Sequence, residues 1–256
     1  MQYTSIPSVC SDQVSLRLYP CAAEPKSLVV WIHGGGWVKG DRRRTRNMPS
    51  FFNENDILFV SINYPLEVPK DESLIDLQIL ALQGLNNWLT SNPILETYSH
   101  AFDNIVILAH SSGAHLTALF DKQFGWNNAV KCLFLMDSGA YDMQARFRAS
   151  PPQQKRKFIQ IFGLNRYSTQ EYNSILRSYS PALLSPRQRS SNLLRVIIVT
   201  SQRRGAIYSA EKLQQSYLAP GYIVSIVQYN WDHEVFTDAI GSDPDLNHLL
   251  LQAISA

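Results

Sequence analysis

Asn104-Ile-Val-Ile-Leu-Ala-His-Ser111-Ser-Gly-Ala-His115 joins an apolar, β-branched run to a small-residue segment, with Ser111 at the junction. Ile105–Ala109 has the length and composition of a buried strand, and Ser112–Phe120 reads as a helix. A tight strand-to-helix turn of this kind lifts a hydroxyl above a sheet and aims a helix N-terminus at it, the layout of a nucleophile elbow. The usual pattern is G-x-S-x-G. Here Ala109 stands in the first glycine position, where a larger side chain would collide with the crossing strand and helix.

A second stretch makes the first more specific. Leu28-Val-Val-Trp-Ile32 is another buried-strand run, and it ends in His33-Gly-Gly-Gly-Trp37. Three successive glycines free the backbone to turn and to present N–H groups at close approach. Such a loop can hold the oxyanion formed when a serine attacks a carbonyl, and the N–H groups of Gly35, Gly36 and Ser112 are the candidate donors. Alone, a glycine-rich turn is usually just a turn, and a serine at a helix start is usually a cap. Together, each after its own strand, the two stretches point to a catalytic Ser111.

The 256 residues are 45% apolar with a net charge of +2, enough for one α/β domain with a substantial core. No apolar run of membrane-spanning length occurs. The N-terminus lacks a signal-peptide profile, so a cytoplasmic, reduced protein is expected. Cys10, Cys21 and Cys132 are too scattered for a disulfide framework or metal cluster, and no metal or organic cofactor is implied. Two basic clusters, Asp41-Arg-Arg-Arg-Thr-Arg46 and Lys155-Arg-Lys157, read first as solvated helix faces. Without interleaved aromatics they do not suggest nucleic acid. The sharper alternative is an electropositive rim that attracts an anionic substrate.

Alternation in Gln13–Tyr19 predicts a half-exposed edge strand. Apolar strands are expected at Leu28–Ile32, Ile57–Ile62, Ile105–Ala109, Val130–Met136, Leu193–Thr200 and Tyr222–Val227. Helices are expected at Arg44–Asn55, Ser73–Thr90, Ser112–Phe120 and Ser209–Tyr217. A closing helix, Asp238–Ser255, is broken around Gly241–Pro244. This alternation predicts a mostly parallel sheet with helices on both faces. Asp142–Pro186 exceeds a simple crossover and reads as a small helical cap with a helix at Gln153–Phe162. Its aromatics Phe147, Phe158, Phe162, Tyr167 and Tyr172 either line a pocket or pack the cap onto the body.

The chain resembles the α/β-hydrolase superfamily, in particular the esterase branch of hormone-sensitive-lipase-like carboxylesterases and arylformamidases. The resemblance is carried by His33-Gly-Gly-Gly-Trp37, Ser61-Ile-Asn-Tyr64, Leu74-Ile-Asp76 and the Asn104–Leu116 elbow. Gly139-Ala-Tyr-Asp-Met143, Tyr179-Ser-Pro181 and Asp232-His233 extend it. It implies a single α/β-hydrolase domain over 1–256 with a cap at about 142–186. It also implies Ser111 as nucleophile, His233 as general base and a small-molecule ester or amide as substrate. Imidazole is the group that makes a serine hydroxyl nucleophilic at neutral pH. His233 follows the last expected strand by a short loop, which places it at the same sheet edge as Ser111. His33, His110 and His115 read as structural hydrogen-bonders around the two motifs.

The acid departs from the family pattern. Such enzymes usually place an aspartate just after the strand assigned here to Leu193–Thr200, but the turn reads Thr200-Ser-Gln-Arg203-Arg204-Gly205. A guanidinium cannot orient an imidazole and opposes imidazolium formation. Either the acid has moved to Asp137, at the end of the preceding strand as in pancreatic-type lipases, or it is gone. The first reading gives a serine hydrolase with Ser111, His233 and Asp137. An acyltransferase would share the same acyl-enzyme. The second gives a weakened dyad or a non-catalytic binding module.

Overall fold

The computed structural model describes residues 3–5, 15–21, 24–70, 72–91, 102, 104–189 and 193–255. Its strands are β1 (Tyr3–Ser5), β2 (Ser15–Tyr19), β3 (Ser27–Ile32), β4 (Ile57–Asn63), β5 (Asn104–His110), β6 (Val130–Met136), β7 (Leu194–Ser201) and β8 (Tyr222–Tyr229). They form one sheet in the order β1-β2-β4-β3-β5-β6-β7-β8. Only β2 runs against its neighbours; from β4 to β8 every pairing is parallel. The chain therefore has a mostly parallel α/β sheet.

The central strands are buried along almost their whole length, as β-branched runs covered on both faces must be. The helices are α1 (Met48–Glu54), α2 (Leu74–Ser91), α3 (Ser112–Gln123), α4 (Met143–Ala149), α5 (Pro152–Ile161), α6 (Tyr172–Ser178), α7 (Arg204–Ser216), α8 (Val235–Ala239) and α9 (Pro244–Ser255). Side chains of α2, α3 and α7 share one core with one face of the sheet. Side chains of α1, α8 and α9 share a second core with the other face. No helix among the described residues is long and apolar enough to cross a membrane.

Three differences from the sequence reading have a clear physical reason. The strand expected at the edge is lined by β1, a short strand the sequence reading did not assign, so β1 and β8 form the edges. Gln13 and Val14 lie outside the described residues. Helix α1 begins at Met48 rather than Arg44, because Arg46 adopts a left-handed backbone (φ 51°) that a helix cannot continue through. Helix α7 begins at Arg204, five residues earlier than expected. The Arg203 carbonyl accepts from the N–H groups of Ala206 and Ile207, and Gly205 is absorbed into the first turn.

Parallel pairing puts the C-terminal ends of β3, β5, β6, β7 and β8 on one edge, where ligands of open α/β sheets bind. The 33–46 loop, Ser111, Asp137, Arg203 and His233 all follow those ends. Between β6 and β7 lie α4, α5, α6 and two short 3-10 turns, Leu164–Arg166 and Pro181–Leu183. Phe158, Phe162, Leu164 and Leu176 of this insertion belong to the same core as α2 and α3. Of the five aromatics singled out above, Phe162 is fully buried against Trp37 and Tyr179. Phe147 and Tyr172 meet edge to face, and Tyr167 is exposed. Most of them pack rather than line a pocket.

Candidate active site

Ser111 sits where β5 turns into α3, with φ 54° and ψ −119°. That backbone costs on the order of 1–3 kcal/mol for a non-glycine residue and persists only where its surroundings impose it. The Ser111 N–H donates to the Met136 carbonyl at 2.8 Å, and the Ser111 carbonyl accepts from the His115 N–H at 3.1 Å. A Cβ added at Gly113 would lie 2.3 Å from the Ile32 carbonyl oxygen and 2.5 Å from that of His33. The last glycine of the elbow is thus required by the helix crossing directly over the end of β3.

The glycine loop is fastened from several sides. Trp37 Nε1 donates to His115 Nδ1 at 3.2 Å, and the Trp37 carbonyl accepts from Gln78 Nε2 at 2.7 Å. The Tyr64 hydroxyl donates to the His33 carbonyl at 2.7 Å. His115 Nε2 donates to the Tyr179 carbonyl at 2.9 Å, and burial lowers its pKa to about 4, so the ring is neutral. The Tyr179 hydroxyl in turn donates to Asp76 at 2.9 Å. Gly35 and Gly36 have φ 125° and 59°. Among the described residues no backbone carbonyl accepts the N–H of Gly35, Gly36 or Ser112.

His233 Nε2 lies 2.9 Å from Ser111 Oγ, and its Nδ1 lies 2.6 Å from Asp137 Oδ2. Asp137 ends β6 in a left-handed conformation, φ 43°, with its N–H on the Val199 carbonyl at 2.7 Å. Its Oδ1 accepts from the Ser201 N–H at 2.9 Å. Arg203 reaches the same carboxylate: one terminal nitrogen donates to Oδ2 at 2.5 Å, and Nε donates to Ser201 Oγ at 2.9 Å. That terminal nitrogen is also 3.2 Å from His233 Nδ1. An unprotonated Nδ1 would face carboxylate lone pairs, so Nδ1 carries the proton and Nε2 presents its lone pair to Ser111.

Burial by itself would raise the Asp137 pKa. The hydrogen bonds from His233 and Ser201 and the nearby Arg203 charge outweigh it and hold the carboxyl well below the usual carboxylate range. His110 holds His233 from the other side. Its Nε2 donates to the His233 carbonyl at 3.0 Å, and the two rings lie 4.5 Å apart. Burial, then the neighbouring His233, lowers the His110 pKa to about 3.

The structure therefore brings Ser111, His233 and Asp137 into one hydrogen-bonded line, with Gly35, Gly36 and Ser112 in the segments that flank it. Asp142 does something else: its Oδ1 accepts the Ala145 N–H at 2.9 Å and caps α4. His110, expected as a structural hydrogen-bonder, bonds to the His233 backbone. The Ser201 N–H belongs to a strand end whose contacts no motif encodes. Arg203, expected to oppose an imidazolium, lies 3.2 Å from His233 Nδ1 and is also an ion-pair partner of Asp137. The available signal was a basic residue in the usual acid position beside an aspartate one strand away.

A cavity of about 530 Å³ opens at Ser111 and His233. The glycine loop, Arg44, Arg146, Lys157 and Phe158 contribute to its walls. Among the described residues, no group of three or more His, Cys, Asp or Glu side chains is placed to hold a metal ion.

A family model described as BD-FAE matches residues 16–144, from β2 to the start of α4. Esterase B from Lactobacillus rhamnosis superimposes with a TM-score of 0.70 at 17% identity, covering 98% of this chain and 84% of that one. The hyperthermophilic esterase from the archaeon Pyrobaculum calidifontis gives 0.65 at 18% identity, covering 98% and 82%. Apo Thermogutta terrifontis esterase 2 gives 0.64 at 15%, covering 98% and 91%. At these identities the likeness establishes a shared fold. Among curated proteins, none matches this sequence.

Proposed function

The chain belongs to the BD-FAE family, which is α/β-hydrolase-like, and on that footing we propose that it is a serine hydrolase of carboxylic esters or activated amides. The observation that carries this reading is the Ser111–His233–Asp137 line, with distances of 2.9 and 2.6 Å. Ser111 Oγ attacks the carbonyl carbon while His233 Nε2 takes its proton. The resulting imidazolium is held by Asp137 through Nδ1–H. The N–H groups of Gly35, Gly36 and Ser112 donate to the oxyanion, and the strained Ser111 backbone fixes the hydroxyl between them and the base. Collapse of the tetrahedral intermediate expels the alcohol or amine, protonated by His233. Water activated by the same imidazole then releases the acid from the acyl-enzyme.

The insertion at about 142–186 acts as a small cap in this scheme, since α5 contributes Gln154, Lys157, Phe158 and Ile161 to the cavity. The case for a binding module rested on Arg203 in the usual acid position. With Asp137 bonded to the base, that argument loses its force, and hydrolysis is the favoured reading. Turnover of short-chain para-nitrophenyl esters by the wild type, abolished in Ser111→Ala, is the test. A Ser111→Ala variant that turns over at the wild-type rate removes the proposal.

A further inference from the structure

The cavity at Ser111 is strongly biased in charge, although the chain as a whole is nearly balanced at +2. Five cations contribute to its walls (Lys39, Arg44, Arg46, Arg146 and Lys157) against two carboxylates, Asp41 and Glu234. Asp41 is committed to Arg43 at 2.7 Å, and Arg46 to Asp238 at 2.9 Å. Lys39, Arg44, Arg146 and Lys157 enter no ion pair among the described residues. They come from both sides of the cavity: the loop after β3 and the insertion helices α4 and α5.

Arg146 is the informative member. It is half-buried, and one terminal nitrogen donates to the Gly139 carbonyl at 3.1 Å. Its Nε is enclosed without a partner. Its guanidinium carbon lies 5.8 Å from the Phe158 ring centroid. A guanidinium removed from water and left without a carboxylate is costly, and an arriving anion offsets that cost. Planar carboxylates suit its fork of donors, and charge-assisted bonds of this kind are among the strongest a site can make.

Resting on the serine-hydrolase reading above, we infer that the substrate is an ester or activated amide bearing a carboxylate near the scissile carbonyl. Arg146 seats that carboxylate, and Lys157 and Arg44 flank it. A cavity of about 530 Å³ has room for such a molecule. The exposed lysines and Arg44 steer its approach, so the preference weakens as salt rises.

Matched substrate pairs test this, with spontaneous hydrolysis subtracted: the para-nitrophenyl monoester of adipate against para-nitrophenyl hexanoate, and para-acetoxybenzoate against its methyl ester. The first pair places the charge in the acyl portion and the second in the leaving group. The expected result is a kcat/KM at least about tenfold higher for the charged member of one pair, shrinking severalfold at high salt. Arg146→Gln brings that ratio close to one, and Arg146→Lys, which keeps the charge, retains an intermediate preference.

If neutral esters are hydrolysed and a fluorophosphonate labels Ser111 while neither charged substrate is preferred, the inference is overturned and the proposed function stands. A preference that survives Arg146→Gln in a folded protein also overturns it. If no ester is turned over and no label forms, both readings fall together.

Discussion

The two halves of the site are held in place by different means. At the ends of β3 and β5 the geometry is set by backbone: Gly113 leaves no room for a side chain under the Ile32 and His33 carbonyls, and Ser111 is forced to φ 54°. Trp37, His115, Gln78 and Tyr64 then tie the glycine loop from behind with buried hydrogen bonds. At the ends of β6 and β7 the geometry is set by side chains. The Asp137 carboxylate joins His233, Ser201 and Arg203, and the Arg203 side chain is about half exposed. A half built by steric necessity tolerates little substitution. A half built from a charge network can exchange its members.

Breaking either half gives the largest effects. Ser111→Ala removes the attacking atom, so kcat for a para-nitrophenyl ester should fall roughly ten-thousandfold or more. Asp137→Asn keeps the shape, and asparagine accepts the left-handed backbone, but it loses the charge that fixes the His233 tautomer. Its kcat should fall on the order of a thousandfold or more, with the circular dichroism spectrum unchanged. A loss of tenfold or less would mean that the acid half does not orient the base.

Arg203→Gln separates the acid from its partner. Asp137 keeps the Ser201 N–H and His233, so activity should stay within about tenfold of wild type. A drop as deep as that of Asp137→Asn would make the arginine, not the aspartate, the element on which the base depends. Gly113→Ala probes the steric half through stability rather than chemistry. A Cβ 2.3 Å from a carbonyl oxygen should cost about 3 kcal/mol in denaturant unfolding, and a neutral result would contradict the tight crossing.

The last effect concerns pH. His110 and His115 have folded pKa values lowered to about 3 and 4, while in the unfolded chain they titrate near 6.5. The unfolded state therefore binds more protons as pH falls below that value, and stability declines between about pH 6.5 and 4. Asp137, whose folded pKa is depressed, adds a further loss only below the ordinary aspartate range. Melting temperatures across this range should show the decline, and His115→Gln should flatten part of it.

What could be read in the sequence follows the same division. Strands β3 to β7 announce themselves because two-sided burial demands unbroken apolar runs, and the two glycine motifs mark left-handed turns at Gly35 and Gly36 and a close backbone approach at Gly113. Asp137 was legible through chemistry, since a carboxylate ending an apolar strand needs a partner. The Ser201 N–H, the His110 clamp and the ion pair of Arg203 depend on which strand ends become neighbours. Sequence order does not state this, because β6 and β7 are separated by the whole insertion. Strand β1 was too short to show a period, and α1 starts late through the left-handed Arg46, which residue type does not reveal.

The most direct measurement is the rate at which a fluorophosphonate adds to the intact protein, followed by mass spectrometry for wild type, Ser111→Ala and Asp137→Asn. The account predicts one adduct on wild type, none on Ser111→Ala, and labelling of Asp137→Asn slowed by at least about a hundredfold. Asp137→Asn labelled as fast as wild type, or Ser111→Ala labelled at all, would contradict a serine activated by His233 and oriented through Asp137.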